Sequence, residues 1–187
     1  AAGAHERPIV FADNDLPGVM LAGSAADLLR RHAVRVADTA VVFTSGDAAY
    51  DAAFATADAG TTVAAIVDVR PVVAADLLDQ ARRRGIRVVT DAAVIRAEGG
   101  ETVCGATLSD GTTLDCDTIL VSGGWSPAAH LWSQLRGTLA FDETVAAFVP
   151  TGSLPNAVIV GAATGLSATG ACLTDGRRGA LTTLAAL

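Results

Sequence analysis

Ala40-Val41-Val42-Phe43-Thr44-Ser45-Gly46-Asp47-Ala48-Ala49 reads as an apolar strand, a glycine turn and the start of a helix. An unbroken apolar run fits a strand covered on both faces, and the small residues after Gly46 favour helix. Residues 48–59 carry that helix to Gly60, which stands where a left-handed residue closes it. The pattern then repeats. Residues 62–67 (Thr-Val-Ala-Ala-Ile-Val) form a strand, 74–84 a helix stopped by Gly85, and 86–89 a third strand. Such β-α-β-α-β alternation with short links is half of a doubly wound α/β fold, a Rossmann-like parallel sheet with helices.

Upstream, residues 9–12 read as a short strand closed by Asp13-Asn14-Asp15-Leu16-Pro17-Gly18, followed by a helix over 19–32 with Leu21, Leu28 and Leu29 at helical spacing. Downstream, residues 92–97, 103–108 and 113–114 read as an antiparallel β-meander with turns at Glu98-Gly99-Gly100 and Asp110-Gly111. Residues 116–121 are another all-apolar strand, and Pro127 suits the first turn of a helix. A last strand is expected at 158–160, turned by Gly161-Ala162-Ala163-Thr164-Gly165 into a long helix from Leu166 towards Leu187.

Composition narrows the function classes. The chain has 187 residues, 51% hydrophobic and 18% charged, which excludes disorder. A net charge of -7 argues against a nucleic-acid partner. All 13 basic residues are Arg, so lysine chemistry is excluded. No apolar run is long enough to cross a membrane. Cys104, Cys116 and Cys172 are too scattered for a zinc ribbon or a local redox pair, and read as thiols of a reducing cytoplasm. His5, His32 and His130 are equally scattered, so no metal site is expected. Ser126 and His130 lack a nucleophile elbow, and no residue of this chain is expected to be catalytic.

Two glycine turns could meet a nucleotide. At the first, Gly46 and Ala49 fit the dinucleotide fingerprint while Thr44 does not, and Asp68 stands where an acid would bond the ribose. Thr44 puts a side chain where the turn is tightest, and Asp47 puts a carboxylate where a pyrophosphate would lie. The favoured reading is that Asp47 caps the helix and this domain keeps the Rossmann shape without the ligand. The second turn, at Gly161 to Gly165, has no acid between Gly161 and Leu166, and Ser167 and Thr169 supply hydroxyls nearby. An anion site and an ordinary strand-to-helix turn remain open alternatives there.

Several blocks together resemble the alpha subunit of heterotetrameric sarcosine oxidase. They are Gly3-Ala4-His5-Glu6-Arg7-Pro8-Ile9-Val10-Phe11-Ala12-Asp13-Asn14-Asp15, Pro17-Gly18-Val19-Met20-Leu21-Ala22, Val67-Asp68 with Arg70-Pro71, Val121-Ser122-Gly123-Gly124-Trp125-Ser126-Pro127, and the Gly161 to Gly165 turn. The resemblance implies a module of the two-dinucleotide-domain flavoprotein reductase type. In that scheme residues 1–35 are the return segment of the first dinucleotide domain with a connecting helix. Residues 36–122 are the second, Rossmann-like domain with the meander, and residues 123–187 close the first domain. The first Gly-rich unit would precede Ala1 and is absent, so a fragment is expected, with apolar surface exposed beside Gly161 to Thr169.

The resemblance further implies NAD in the alpha subunit, with FAD and FMN of the parent complex held elsewhere. It also implies beta, gamma and delta subunits, and the rest of alpha, as partners. Gly161, Ala162, Leu166, Ser167 and Thr169 are the implied cofactor-binding residues. Ala162 stands where FAD-binding relatives place an Asp for the ribityl chain, which suits NAD. Ala2 departs from the Ala-Thr-Gly usual at the end of its strand. The implied function is completion of an NAD site within a flavin-dependent oxidase of N-methyl amino acids such as sarcosine. The alternatives are a non-catalytic, degenerate Rossmann scaffold, or an alpha-type subunit of an opine or proline dehydrogenase.

Overall fold

The computed structural model describes residues 3–155 and 157–185. Ala2 and Leu187, both invoked above, lie outside the described residues. In chain order the first elements are β1 (Ala4–Glu6), β2 (Val19–Leu21), α1 (Ala22–His32), β3 (Thr39–Thr44), α2 (Ala48–Asp58) and β4 (Thr62–Asp68). Then come α3 (Ala75–Arg83), β5 (Val88–Thr90), β6 (Val94–Gly99), β7 (Val103–Leu108), β8 (Thr113–Asp115) and β9 (Thr118–Ser122). The last are β10 (Trp125–Pro127), α4 (His130–Gln134), β11 (Thr138–Asp142), β12 (Ala147–Thr151) and α5 (Thr169–Ala185). The chain divides into two compact units, residues 7–124 and residues 1–6 with 125–187.

The 7–124 unit is built on a five-stranded parallel sheet in the order β2-β9-β3-β4-β5. Its strands alternate between two cores. Ala40, Val42, Ile66 and Leu120 face Ala22, Ala25, Tyr50, Ala53 and Ala81 of the three helices. Val41, Phe43, Ala65, Val67, Ile119 and Val121 face Val94, Val103, Ala106 and Leu108 of the antiparallel β6-β7-β8 sheet. Cover on both faces is why these strands tolerate no polar alternation.

Three sequence expectations in this unit need correction. Helix does not begin at Val19, because Val19, Met20 and Leu21 pair in parallel with Ile119, Leu120 and Val121 as an edge strand. Leu21 is still extended (φ -68°, ψ 138°) when the helix starts after it. Residues 9–12 form no strand beyond a single bridge from Ala12 to Arg96, although Phe11 is buried among the meander residues. Asp47 makes no cap bond to α2, since its carboxylate is drawn to Arg70 instead.

In the other unit, β1 pairs antiparallel with β10, Ala4 facing Pro127, so Pro127 is a strand residue and helix waits until His130. An unexpected hairpin follows, β11 against β12, with Phe141 and Phe148 stacked edge to face across the strands. Among the described residues 158–160 join no ladder, although Val160 is extended (φ -145°, ψ 161°). Residues Gly161–Thr164 make one 3-10 turn, and Gly165 (φ 92°) breaks it, which postpones the long helix from Leu166 to Thr169. This unit leaves apolar side chains in the open: Phe141, Phe148, Val158, Leu173, Leu181 and Leu184 are all more than half exposed.

Candidate functional site

The crevice at the carboxyl ends of β3 and β4 is where a Rossmann sheet holds its nucleotide. Here it is filled from within. Thr44 is fully buried, and its hydroxyl accepts the Gly46 N–H at 3.0 Å while donating to the Gly46 carbonyl at 2.9 Å. The residue that spoils the fingerprint therefore closes the turn on itself. Asp68 is wholly buried. Its carboxylate accepts the Tyr50 hydroxyl at 2.9 Å, the Arg70 backbone N–H at 3.0 Å, and Arg70 Nε and Nη2 at 3.0 and 2.8 Å. A buried carboxylate needs such a set of donors to be tolerated.

Arg70 also reaches Asp47 Oδ1 at 2.7 Å. One guanidinium thus bridges the first turn of α2 to the end of β4. Its hydrogen bonds to Asp68 raise its already high pKa, so it is a permanent cation. The acid expected to meet a ribose has every strong donor around it supplied by the chain. A nucleotide would have to displace Arg70 and face two carboxylates.

The second turn is organised differently. Gly161 is buried at φ 71°, a left-handed backbone that suits glycine, and its N–H donates to Asp175 Oδ2 at 2.8 Å. The Ala162 carbonyl accepts the Gly165 N–H at 3.1 Å, and the Thr164 hydroxyl donates to the Gly161 carbonyl at 2.7 Å. Leu166 is half-buried, its carbonyl taking the Cys172 thiol at 3.5 Å. Ser167 and Thr169 are exposed, and Thr169 opens the 17-residue α5. All five expected contact residues therefore lie in one unit, within nine positions, around one helix start.

Sequence reasoning missed Asp175. It is the only acid after Glu143, a signal that was readable. Elsewhere, burial and the neighbouring Asp117 push the Cys116 thiol up to about 11, which leaves it protonated and unreactive at neutral pH. Ser126 sits opposite His5 in the β1–β10 ladder, and the His130 ring lies 6.2 Å from that of His5. Among the described residues no group of three His, Cys, Asp or Glu could hold a metal, and no helix is long and apolar enough to cross a membrane.

Similarity to known proteins fixes what this scaffold is related to. The sarcosine oxidase subunit alpha of Corynebacterium sp. (strain P-1) is 38% identical over 187 residues, 94% of this chain. That of Rhizobium meliloti (strain 1021) is 35% identical over 179 residues, again 94% of the chain. The chain is homologous to one stretch of sarcosine oxidase subunit alpha. It spans only about a fifth of these relatives, 19% and 18% of their lengths. No protein-family model matches it.

Solved structures agree on the architecture. The thioredoxin reductase of T. acidophilum superposes with a TM-score of 0.72 at 15% identity, over 96% of this chain and 62% of that one. A FAD-dependent pyridine nucleotide-disulphide oxidoreductase from Desulfovibrio vulgaris gives 0.57 at 24%, over 76% and 38%. The L-proline dehydrogenase of P. horikoshii gives 0.59 at 21%, over 88% and 29%. At such identities the likeness is one of fold: mixed α/β with a parallel sheet and antiparallel strands. The sequence similarity is to one stretch of sarcosine oxidase subunit alpha, an oxidase by its name.

Proposed function

We propose that this chain serves a sarcosine oxidase alpha-type subunit by completing an NAD site within a flavin-dependent oxidase of N-methyl amino acids. The observation that carries the proposal is the 38% identity to sarcosine oxidase subunit alpha across 94% of the chain. The residues that would hold the dinucleotide are Gly161, Ala162, Leu166, Ser167 and Thr169. Their chemistry fits such a ligand. The start of a 17-residue helix presents backbone N–H groups, and the exposed Ser167 and Thr169 hydroxyls can donate to ribose or phosphate oxygens. Ala162 stands where the resemblance places the Asp that bonds a ribityl chain in FAD-binding proteins, which favours NAD here.

In this proposal residues 123–187 close the dinucleotide domain, and FAD and FMN belong to the parent complex. Beta, gamma and delta subunits and further alpha sequence are the partners. The flavin chemistry, removal of a hydride from the amine carbon to leave an imine, would occur outside this chain. The chain's own residues bind and orient, and none moves a proton for the reaction. A cytoplasmic setting fits three free thiols.

Calorimetric titration of NAD into the chain and into the assembled enzyme tests this. Micromolar or tighter binding is expected in the assembled enzyme, weakened about threefold to tenfold by Ser167→Ala with Thr169→Val, each removing one hydroxyl contact. Absence of NAD from both preparations would refute it. A second reading, that the 7–124 unit is a nucleotide-free scaffold, is favoured by Arg70 filling its crevice. On that reading Asp47→Asn leaves NAD affinity unchanged.

A further inference from the structure

One stripe of α5 lies against the segment that precedes the glycine turn. Cys172, Asp175 and Gly179 are spaced to share a helix face. A Cβ on Gly161 would lie 3.8 Å from Cys172 Cβ, and one on Gly179 would lie 2.5 Å from Val160 Cγ1 and 3.2 Å from Val158 Cγ1. Asp175 sits mid-stripe and is only 8% exposed. One carboxylate oxygen accepts the Gly161 N–H, and the other takes the guanidinium of Arg178, whose side chain is 80% exposed.

Packing alone does not call for an acid here, because a buried carboxylate loses hydration that an apolar residue of similar size would not need. What the acid adds is an acceptor for one particular backbone amide. Because the Val160–Gly161 peptide is trans, an N–H aimed at α5 turns the Val160 carbonyl away from it. The carboxylate therefore fixes that peptide plane, and with it the entry to the Gly161–Thr164 turn. Gly161, left-handed and without a Cβ, cannot fix its own conformation.

We infer that Asp175 is the positioning residue of the glycine turn, holding the Gly161 amide inward so that the turn keeps the shape in which it meets a dinucleotide. The cofactor half of this statement rests on the NAD reading above; the anchoring half does not. The contact at Gly161 is then made by shape and by the residues after it, because the amide itself is already bonded to a carboxylate.

The test uses Asp175→Asn, Asp175→Ala and the near-isosteric Asp175→Leu, which also lacks an acceptor and serves if the alanine variant does not fold. NAD affinity is measured in the assembled enzyme, and hydrogen exchange of the Gly161 amide by NMR in the chain. The alanine and leucine variants are expected to exchange Gly161 at least about tenfold faster and to bind NAD about tenfold more weakly. Asparagine, whose amide oxygen accepts the same N–H, is expected to restore both to within about threefold. Arg178→Ala should resemble the wild type. Unchanged Gly161 exchange in the alanine and leucine variants, or asparagine behaving like them, would overturn the assignment. Wild-type enzyme that binds no NAD while the exchange pattern holds would sink the cofactor reading and leave the anchor standing.

Discussion

Tyr50 is the only tyrosine in the chain and is fully buried, so its phenol reports on the filled crevice without any label. Burial first, and then the carboxylate of Asp68 that accepts its proton, raise its pKa above the ordinary value of 10.0. The unfolded chain releases this proton near that ordinary value while the folded chain retains it. The stability contributed by the neutral phenol is therefore intact below about pH 10 and is lost as the pH climbs through the folded value. The tyrosinate absorbance of the native chain should consequently rise at higher pH than that of the chain in denaturant. Superimposable curves would mean that the hydroxyl is not held by Asp68. Asp68 itself was legible as a residue at the end of a Rossmann strand, but its partners were not. Nothing in the local sequence announces that Arg70 folds back on it, or that Asp47 and Tyr50 close in from the preceding helix. The same reading made Asp47 a helix cap because a cap is a local event, whereas the Arg70 contact depends on two strand ends being brought side by side.

At the scale of elements, burial on both faces decided what could be read. β3, β4 and β9 are nearly continuous apolar runs and were legible as buried strands, while β2 is three residues long and indistinguishable from the start of α1. The β11–β12 hairpin was missed because its strands are only five residues long and lack the continuous apolar run of a strand covered on both faces, Leu139, Phe141 and Phe148 being exposed. Glycines of α5 offer a sharp test of its docking. Ala at Gly179 would drive a Cβ into Val160 and Val158, and should destabilise by about 1–3 kcal/mol in denaturant unfolding. At Gly176 a Cβ meets nothing within 4 Å, so Ala there should stabilise by up to about 1 kcal/mol through helix propensity. Equal effects at the two sites would contradict the packing of α5 on 158–160. Of the candidate site, the glycine turn and its hydroxyl neighbours were visible in sequence. Asp175 stood out in sequence only as the lone acid after Glu143, and its role appears only once one turn of helix lies over Gly161.

The whole molecule is two units of unequal self-sufficiency. Residues 7–124 contain both faces of the parallel sheet and both layers that cover it, so this stretch expressed alone should unfold in a single cooperative urea transition. A broad, probe-dependent transition would show that it leans on the remainder of the chain. The strand order β2-β9-β3-β4-β5 has one more consequence, which concerns synthesis on the ribosome. β9 is the last strand of this unit to be made, yet it sits between β2 and β3 and pairs with residues some 80–100 positions earlier by the register Ala40 to Thr118 and Val19 to Ile119. Until Thr118–Ser122 emerges, β3 offers an unpaired apolar edge and β2 has no partner at all. Such edges invite pairing between nascent chains. Translation that stalls within the meander codons would therefore generate aggregating chains rather than a smaller folded domain, even though four of the five strands and all three helices of the unit would already have been made.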